Sequence, residues 1–88
     1  MANRTRSPWK TKNGIYESAE FGEVTVSNTD TVTLSNLKAT ANPYTVTLVK
    51  MTDGSAMTCT YAAGTNVVTV TGAGTDIKCI YMSYGVKA

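Results

Sequence analysis

From Gly22 onward, apolar and polar residues alternate along this chain in short runs rich in Val and Thr. A period of two built from β-branched side chains marks strands that lie on a pleated, half-buried surface. Glu23-Val24-Thr25-Val26-Ser27 is apolar at its even positions, and after Ser27-Asn28-Thr29-Asp30 so is Thr31-Val32-Thr33-Leu34-Ser35. The two runs read as a hairpin. Beyond a loop from Asn36 to Pro43, the stretch Tyr44 to Met51 sets Tyr44, Val46 and Leu48 on one face. Asp53-Gly54 follows, the dipeptide that most readily supplies the two positive φ values of a type I′ turn. Ser55 to Tyr61 returns with Met57, Cys59 and Tyr61 aligned, Ala62 to Asn66 loops into Val67 to Thr71, and Gly72 to Asp76 turns into a last strand, Ile77 to Tyr84.

That last strand is apolar on both sides, with Ile77, Cys79 and Tyr81 on one face and Ile80, Met82 and Tyr84 on the other. Such a strand is either central between two layers or turns its second face to another subunit. In so small a protein the second option is favoured, and Tyr81, Met82 and Tyr84 are the expected self-association face.

No segment offers a convincing helix. The pattern predicts an all-β fold, a small antiparallel β-sandwich or open barrel of about six strands, spanning residues 22–88. Residues 1–21 carry no such pattern. Asn, Arg, Thr, Lys and Ser broken by Pro8 and Gly14 cannot make a core and are too long for a loop inside a compact domain. They are predicted to form an extended basic N-terminal arm.

Charge separates the same two parts. Arg4, Arg6, Lys10 and Lys12 give the first twelve residues +4, while Lys38, Lys50, Lys78 and Lys87 against six acids leave the remainder at −2. A free arm of this kind orders against a partner, with Trp9 as the anchor and Arg4, Arg6, Lys10 and Lys12 pairing with acids around it.

The body is slight. A chain of 88 residues folding alone buries only about 60 to 65 per cent of its unfolded surface, so outside support is expected. The ligand count argues against a structural zinc site, since there is no His and only Cys59 and Cys79, where zinc takes four ligands at paired short spacings. No cofactor is implied. Met1 to Arg6 is basic and no apolar leader stretch follows it, so the two cysteines read as buried free thiols. No run approaches the roughly 18 apolar residues of a membrane span, and the expectation is a soluble protein made in the cytosol with no membrane partner. Association with other chains remains, as a homo-oligomer, dimer or trimer, and with a larger assembly.

Catalysis finds no foothold. Without His, a Ser or Cys nucleophile has no ordinary base, and Gly72-Ala73-Gly74 lacks the Lys and hydroxyl of a phosphate loop. Glu17, Glu20 and Glu23 read as a solvated edge, not as the carboxylate pair of a glycosidase. Thr29-Asp30, Thr52-Asp53 and Thr75-Asp76 recur every 23 residues, which puts three Asp in turns on one rim as turn formers more than calcium ligands. Two binding readings compete with assembly. A basic arm tracks phosphates, but four charges on an acidic body argue against nucleic acid. Tyr16, Tyr44, Tyr61, Tyr81 and Tyr84 offer a carbohydrate platform, although alternate strand positions make most of them core or subunit contacts first.

Thr45-Val46-Thr47-Leu48-Val49, the Asp53-Gly54 hairpin and Asn66-Val67-Val68-Thr69-Val70-Thr71-Gly72 give the chain from about Glu23 to Val86 a recognisable texture. It resembles the small Thr, Val and Gly-rich β proteins of tailed bacteriophages that decorate or cement the capsid, often as trimers or dimers. The resemblance implies a non-enzymatic virion protein on the capsid surface, made in the host cytoplasm, whose arm staples it to the major capsid protein or other virion subunits.

Overall fold

The computed structural model describes every residue except Ala73, which falls within the predicted Gly72 to Asp76 turn. The chain is all-β, in eight strands: β1 (Asn3–Arg4), β2 (Ser7–Asn13), β3 (Glu17–Val26), β4 (Thr31–Thr33), β5 (Thr45–Lys50), β6 (Ala56–Tyr61), β7 (Val67–Thr71) and β8 (Ile77–Val86). They form one sheet in the order β1-β4-β7-β6-β5-β8-β3-β2, curled into a half-barrel. The open-barrel expectation holds in this coarse form. The count of about six does not, because β1, β2 and the first half of β3 lie in the segment read as patternless.

The sheet order explains the curl. β1 and β2 stand at opposite ends of the sheet, yet only Thr5 and Arg6 separate them in sequence. One short segment can reach both edges only if the sheet rolls until those edges approach. β1 pairs in parallel with β4 through Asn3–Thr31 and Arg4–Val32, and β2 pairs antiparallel with β3 from Ser7–Glu23 to Asn13–Ser18. The N-terminal segment is therefore a strap across the open seam of the barrel, and the expectation of an extended arm is overturned. Backbone polar groups supply the reason, because an ordered edge leaves donors and acceptors unpaired and the strap pairs two such edges at once.

The alternating pattern places the core inside the curl. Val24, Val26, Val32, Leu34, Leu37, Leu48, Met57, Val68, Val70, Cys79 and Tyr81 are buried there. Cross-strand rows show how they meet: Gly22, Tyr81, Leu48 and Met57 lie side by side across β3, β8, β5 and β6. Gly22 has no side chain for a steric reason. A methyl group there would lie 2.2 Å from Ser7 O, 2.7 Å from Pro8 Cα and 2.8 Å from Trp9 N, since the strap bulges over this point between Pro8 and Lys10.

The Asp53-Gly54 hairpin differs from a two-residue type I′ turn. Five residues, Met51 to Ser55, connect β5 to β6, and of the pair only Gly54 has positive φ, at 74°. Asp53 instead accepts the Ser55 N–H at 2.9 Å, a local side-chain turn of the kind Asp favours.

Candidate functional site

Two faces of β3 and β8 carry the chemistry of this chain, one turned to the interior and one to the outside. On the interior face, Ser18, Glu20, Gly22, Val24 and Val26 succeed one another along β3 and all are buried. Glu20 is thus no part of a solvated edge. It is 2% exposed, a position where an ionised carboxylate survives only if paired and hydrogen-bonded.

The strap supplies the partners. Arg6 grips Glu20 with two nitrogens, Nε to Oε2 and Nη2 to Oε1 at 2.9 Å, while its Nη1 donates to Thr33 O at 3.3 Å. The Tyr81 hydroxyl donates to Glu20 Oε2 and Thr11 Oγ1 to Oε1 at 3.2 Å. Burial pushes the Glu20 carboxyl up, but the Arg6 and Tyr81 hydrogen bonds, the Arg6 charge and Thr11 outweigh it and its pKa is lowered. For Tyr81, burial and the hydrogen bond to Glu20 both hold the phenol far above its usual range. A fork-to-carboxylate pair of this kind fixes geometry as well as charge. Because Thr33 belongs to β4 and Glu20 to β3, Arg6 ties the two sides of the seam together.

Arg4 does the same at the turn end. Its guanidinium donates to Asp30 Oδ2 at 2.9 Å and to Asp76 Oδ1 at 3.1 Å. Asp30 also accepts the N–H groups of Ser27 at 2.8 Å and Ala2 at 3.0 Å, and those backbone bonds are the first cause of its lowered pKa. Asp30, Asp53 and Asp76 all follow strand ends at one rim, as the 23-residue spacing predicts. Among the described residues no group of acids or thiols is arranged to hold a metal ion.

Arg4 and Arg6 are thus engaged within the chain. The other strap residues named from the sequence are on the surface: Trp9 is 52% exposed at the bulge, and Lys10 and Lys12 stand on β2, every residue of which is exposed. Among the described residues neither lysine makes an ion pair.

The outer face begins at those lysines. Strand register lines up Lys10, Phe21, Met82 and Thr47 in one row, and Lys12, Ala19, Tyr84 and Thr45 in the next. Phe21 is 43% exposed, Met82 51% and Tyr84 37%, so large apolar groups sit on the surface of central strands. Tyr84 is held there: its ring meets Tyr44 edge to face, centroids 5.3 Å apart, and its hydroxyl donates to Glu17 Oε2. Glu23 pairs with Lys78 at 3.6 Å. Of the expected self-association residues, Met82 and Tyr84 share this face, whereas Tyr81 is interior and 1% exposed. The correction follows from strand parity, which turns Tyr81 and Met82 to opposite sides.

Phe21 and Ala19 were missed as surface residues, because Ala19-Glu20-Phe21 is a short alternation, apolar at odd positions and so out of phase with the even-position pattern that begins at Val24. Their signal was available only through the register with β8. The remaining tyrosines scatter: Tyr16 lies in the β2–β3 turn and Tyr61 donates to Pro43 O at 3.3 Å. Cys59 and Cys79 are free thiols, with pKa values pushed up by burial.

No family model, curated protein or solved structure matches this chain.

Proposed function

We propose that this chain is a non-enzymatic structural protein of a virion shell, a capsid decoration protein that docks on a neighbouring shell subunit through the outer face of β3 and β8. One observation carries the reading. The interior of the half-barrel is already filled by its own core, yet the central strands present a second apolar set, Phe21, Met82 and Tyr84, to the outside. Large exposed apolar groups on strands paired on both sides mark a surface that another protein covers.

The strap has a different part in this reading from that of a free staple. It closes the fold and carries Lys10 and Lys12 to the margin of the docking face. A non-enzymatic role fits a chain without histidine, whose thiols are disfavoured as thiolates and whose buried carboxylate is held by Arg6. Nucleic acid is the weaker reading, since two of the four strap cations are spent on Asp30, Asp76 and Glu20, and two lysines offer few phosphate contacts.

Co-sedimentation with assembled particles from the source that encodes the chain tests the proposal. Tagged wild-type protein is expected with the particles, and a folded Met82→Asp variant is expected in the supernatant. Absence of the wild-type protein from purified particles overturns it.

A further inference from the structure

We infer that the partner received by this face is anionic: a segment with an apolar side chain seated in the groove on β3 and its flanking carboxylates against Lys10 and Lys12. The inference rests on the docking reading above and names the chemistry of that partner.

A groove of about 320 Å³ lies on the outer face, lined by Lys10, Lys12, Ala19, Glu20, Phe21 and Met82. Its floor is apolar and one margin is doubly cationic. The one acid along it is no counter-charge, since the Glu20 carboxylate faces the interior and is bound by Arg6. Of the two outer-face acids closest in register, Glu23 is paired with Lys78 and Glu17 accepts from the Tyr84 hydroxyl, and among the described residues neither pairs with Lys10 or Lys12. Lys10 and Lys12 are two positions apart on one side of an extended strand, about 7 Å between Cα atoms. Two like charges at that spacing repel each other, and bound carboxylates relieve this while the lysine stems line the groove.

A second copy of the chain is the poorer occupant. Antiparallel pairing of two β2 edges about Thr11 sets Lys10 opposite Lys12 twice, and like charges directly opposite are destabilising. Pro8 and the bulge beside it blunt the same edge further. Two copies meeting face to face about Met82 concentrate four lysines around one apolar patch. An acidic partner gains from the charge that a second copy must overcome, and it gains on-rate through steering.

The test is a titration of the ¹⁵N-labelled full chain, followed by amide shifts, with the capped peptide Gly-Glu-Leu-Glu-Gly and its Gly-Gln-Leu-Gln-Gly counterpart. The Glu peptide is expected to shift Lys10, Lys12, Ala19, Phe21 and Met82, and to bind about tenfold more tightly than the Gln peptide, the effect of two exposed ion pairs. A Lys10→Glu, Lys12→Glu double variant, shown folded by its dispersed spectrum, is expected to lose that preference. Equal affinity for both peptides overturns the inference, as does no perturbation by the Glu peptide at millimolar concentration. Stronger perturbation of the same residues by oligothymidylate assigns the site to nucleic acid, and a native mass showing a dimer that covers these residues assigns it to a second copy; either overturns it. The two readings fail separately. Glu-peptide binding by a protein absent from particles sinks the shell reading alone, whereas particles that capture the double variant but not Met82→Asp sink the anionic partner alone.

Discussion

Arg6 and Glu20 form a buried ion pair that joins the N-terminal strap to the interior face of β3, and Arg6 reaches on to the β4 backbone at Thr33 O. Removing one partner leaves the other charge uncompensated at a site where the Glu20 side chain is 2% and the Arg6 side chain 14% exposed. A loss of about 3 kcal/mol is the usual scale for such a break. Glu20→Ala and Arg6→Ala are each expected to lower stability by about this amount in urea unfolding. Arg6→Lys keeps the charge but not the fork, and is expected to recover only part of it. A Glu20→Ala protein with a wild-type midpoint would show that the pair does not close the seam.

Glu20 and a second carboxylate, Asp30, set the acid response. Glu20 and Asp30 have folded-state pKa values below their ordinary ones, so each binds protons less readily folded than unfolded. Their stabilisation is complete above the unfolded values, about 4.3 for Glu and 3.9 for Asp, and is lost as pH falls through the depressed folded values. The urea midpoint is expected to be flat between about pH 6 and 7 and to fall below about pH 4. Glu20→Gln is expected to flatten part of that fall. Tyr81, raised by burial and Glu20, acts on the other limb: its contribution is present below about pH 10, the unfolded value, and is lost as pH rises beyond it.

Gly22 is fixed by backbone on three sides, at Ser7, Pro8 and Trp9. Main-chain atoms cannot step aside as a flexible side chain can, so Gly22→Ala must push the strap off β3. The expected cost is about 3 kcal/mol, the upper range of overpacking. Hydrogen exchange localises it: amides of Ser7 and of Trp9 to Asn13 are expected to lose protection before those of β5, β6 and β7. Uniform loss across the sheet would place the strain elsewhere.

Six of the eight strands were legible because most of their inward positions are Val, Leu, Ile, Met, Cys or Tyr, and period two is visible whenever the buried face is apolar. The first half of β3 obeys the same alternation with Ser18, Glu20 and Gly22 facing inward, so its pattern was hidden in polar residues. β2 was hidden for the opposite reason, since all seven of its residues are exposed and its stability comes from backbone pairing and Arg6. The split of charge between strap and body was plain in the sequence. That Arg4 and Arg6 answer acids of the same chain, while Lys10 and Lys12 do not, depends on contacts up to 72 positions apart. The doubled apolar pattern of Ile77 to Tyr84 did point to the outer face, with Met82 and Tyr84 on it.

Thr29 holds φ at 70°, a left-handed conformation that costs a β-branched residue about 1 to 2 kcal/mol. It is kept there by its own N–H, which donates to Val70 O at 2.8 Å and pins the β3–β4 corner to β7. Asn tolerates this conformation and preserves that bond. Thr29→Asn is expected to raise stability by about 0.5 to 1 kcal/mol, read as a higher urea midpoint with unchanged slope. A lower midpoint would mean that the Thr29 hydroxyl bond to Asn28 O outweighs the backbone strain.

Truncation separates a strap from a free arm most directly. A free arm is dispensable for folding, so deleting residues 1–6 would leave the β domain intact. A strap is not dispensable, because the deletion takes Arg6 from Glu20 and removes both Arg4 and the Ala2 N–H from Asp30. Parallel β1 is lost with them, and the β4 edge it covers becomes free to pair with other chains. The truncated protein is expected to lose its cooperative urea transition, or to aggregate. The exposed lysines provide the contrast: Lys10→Gln with Lys12→Gln removes half the strap charge and is expected to move stability by no more than about 0.5 kcal/mol per site. A truncated chain with a native-like transition would mean that β1 and its arginines lie on the fold without closing it.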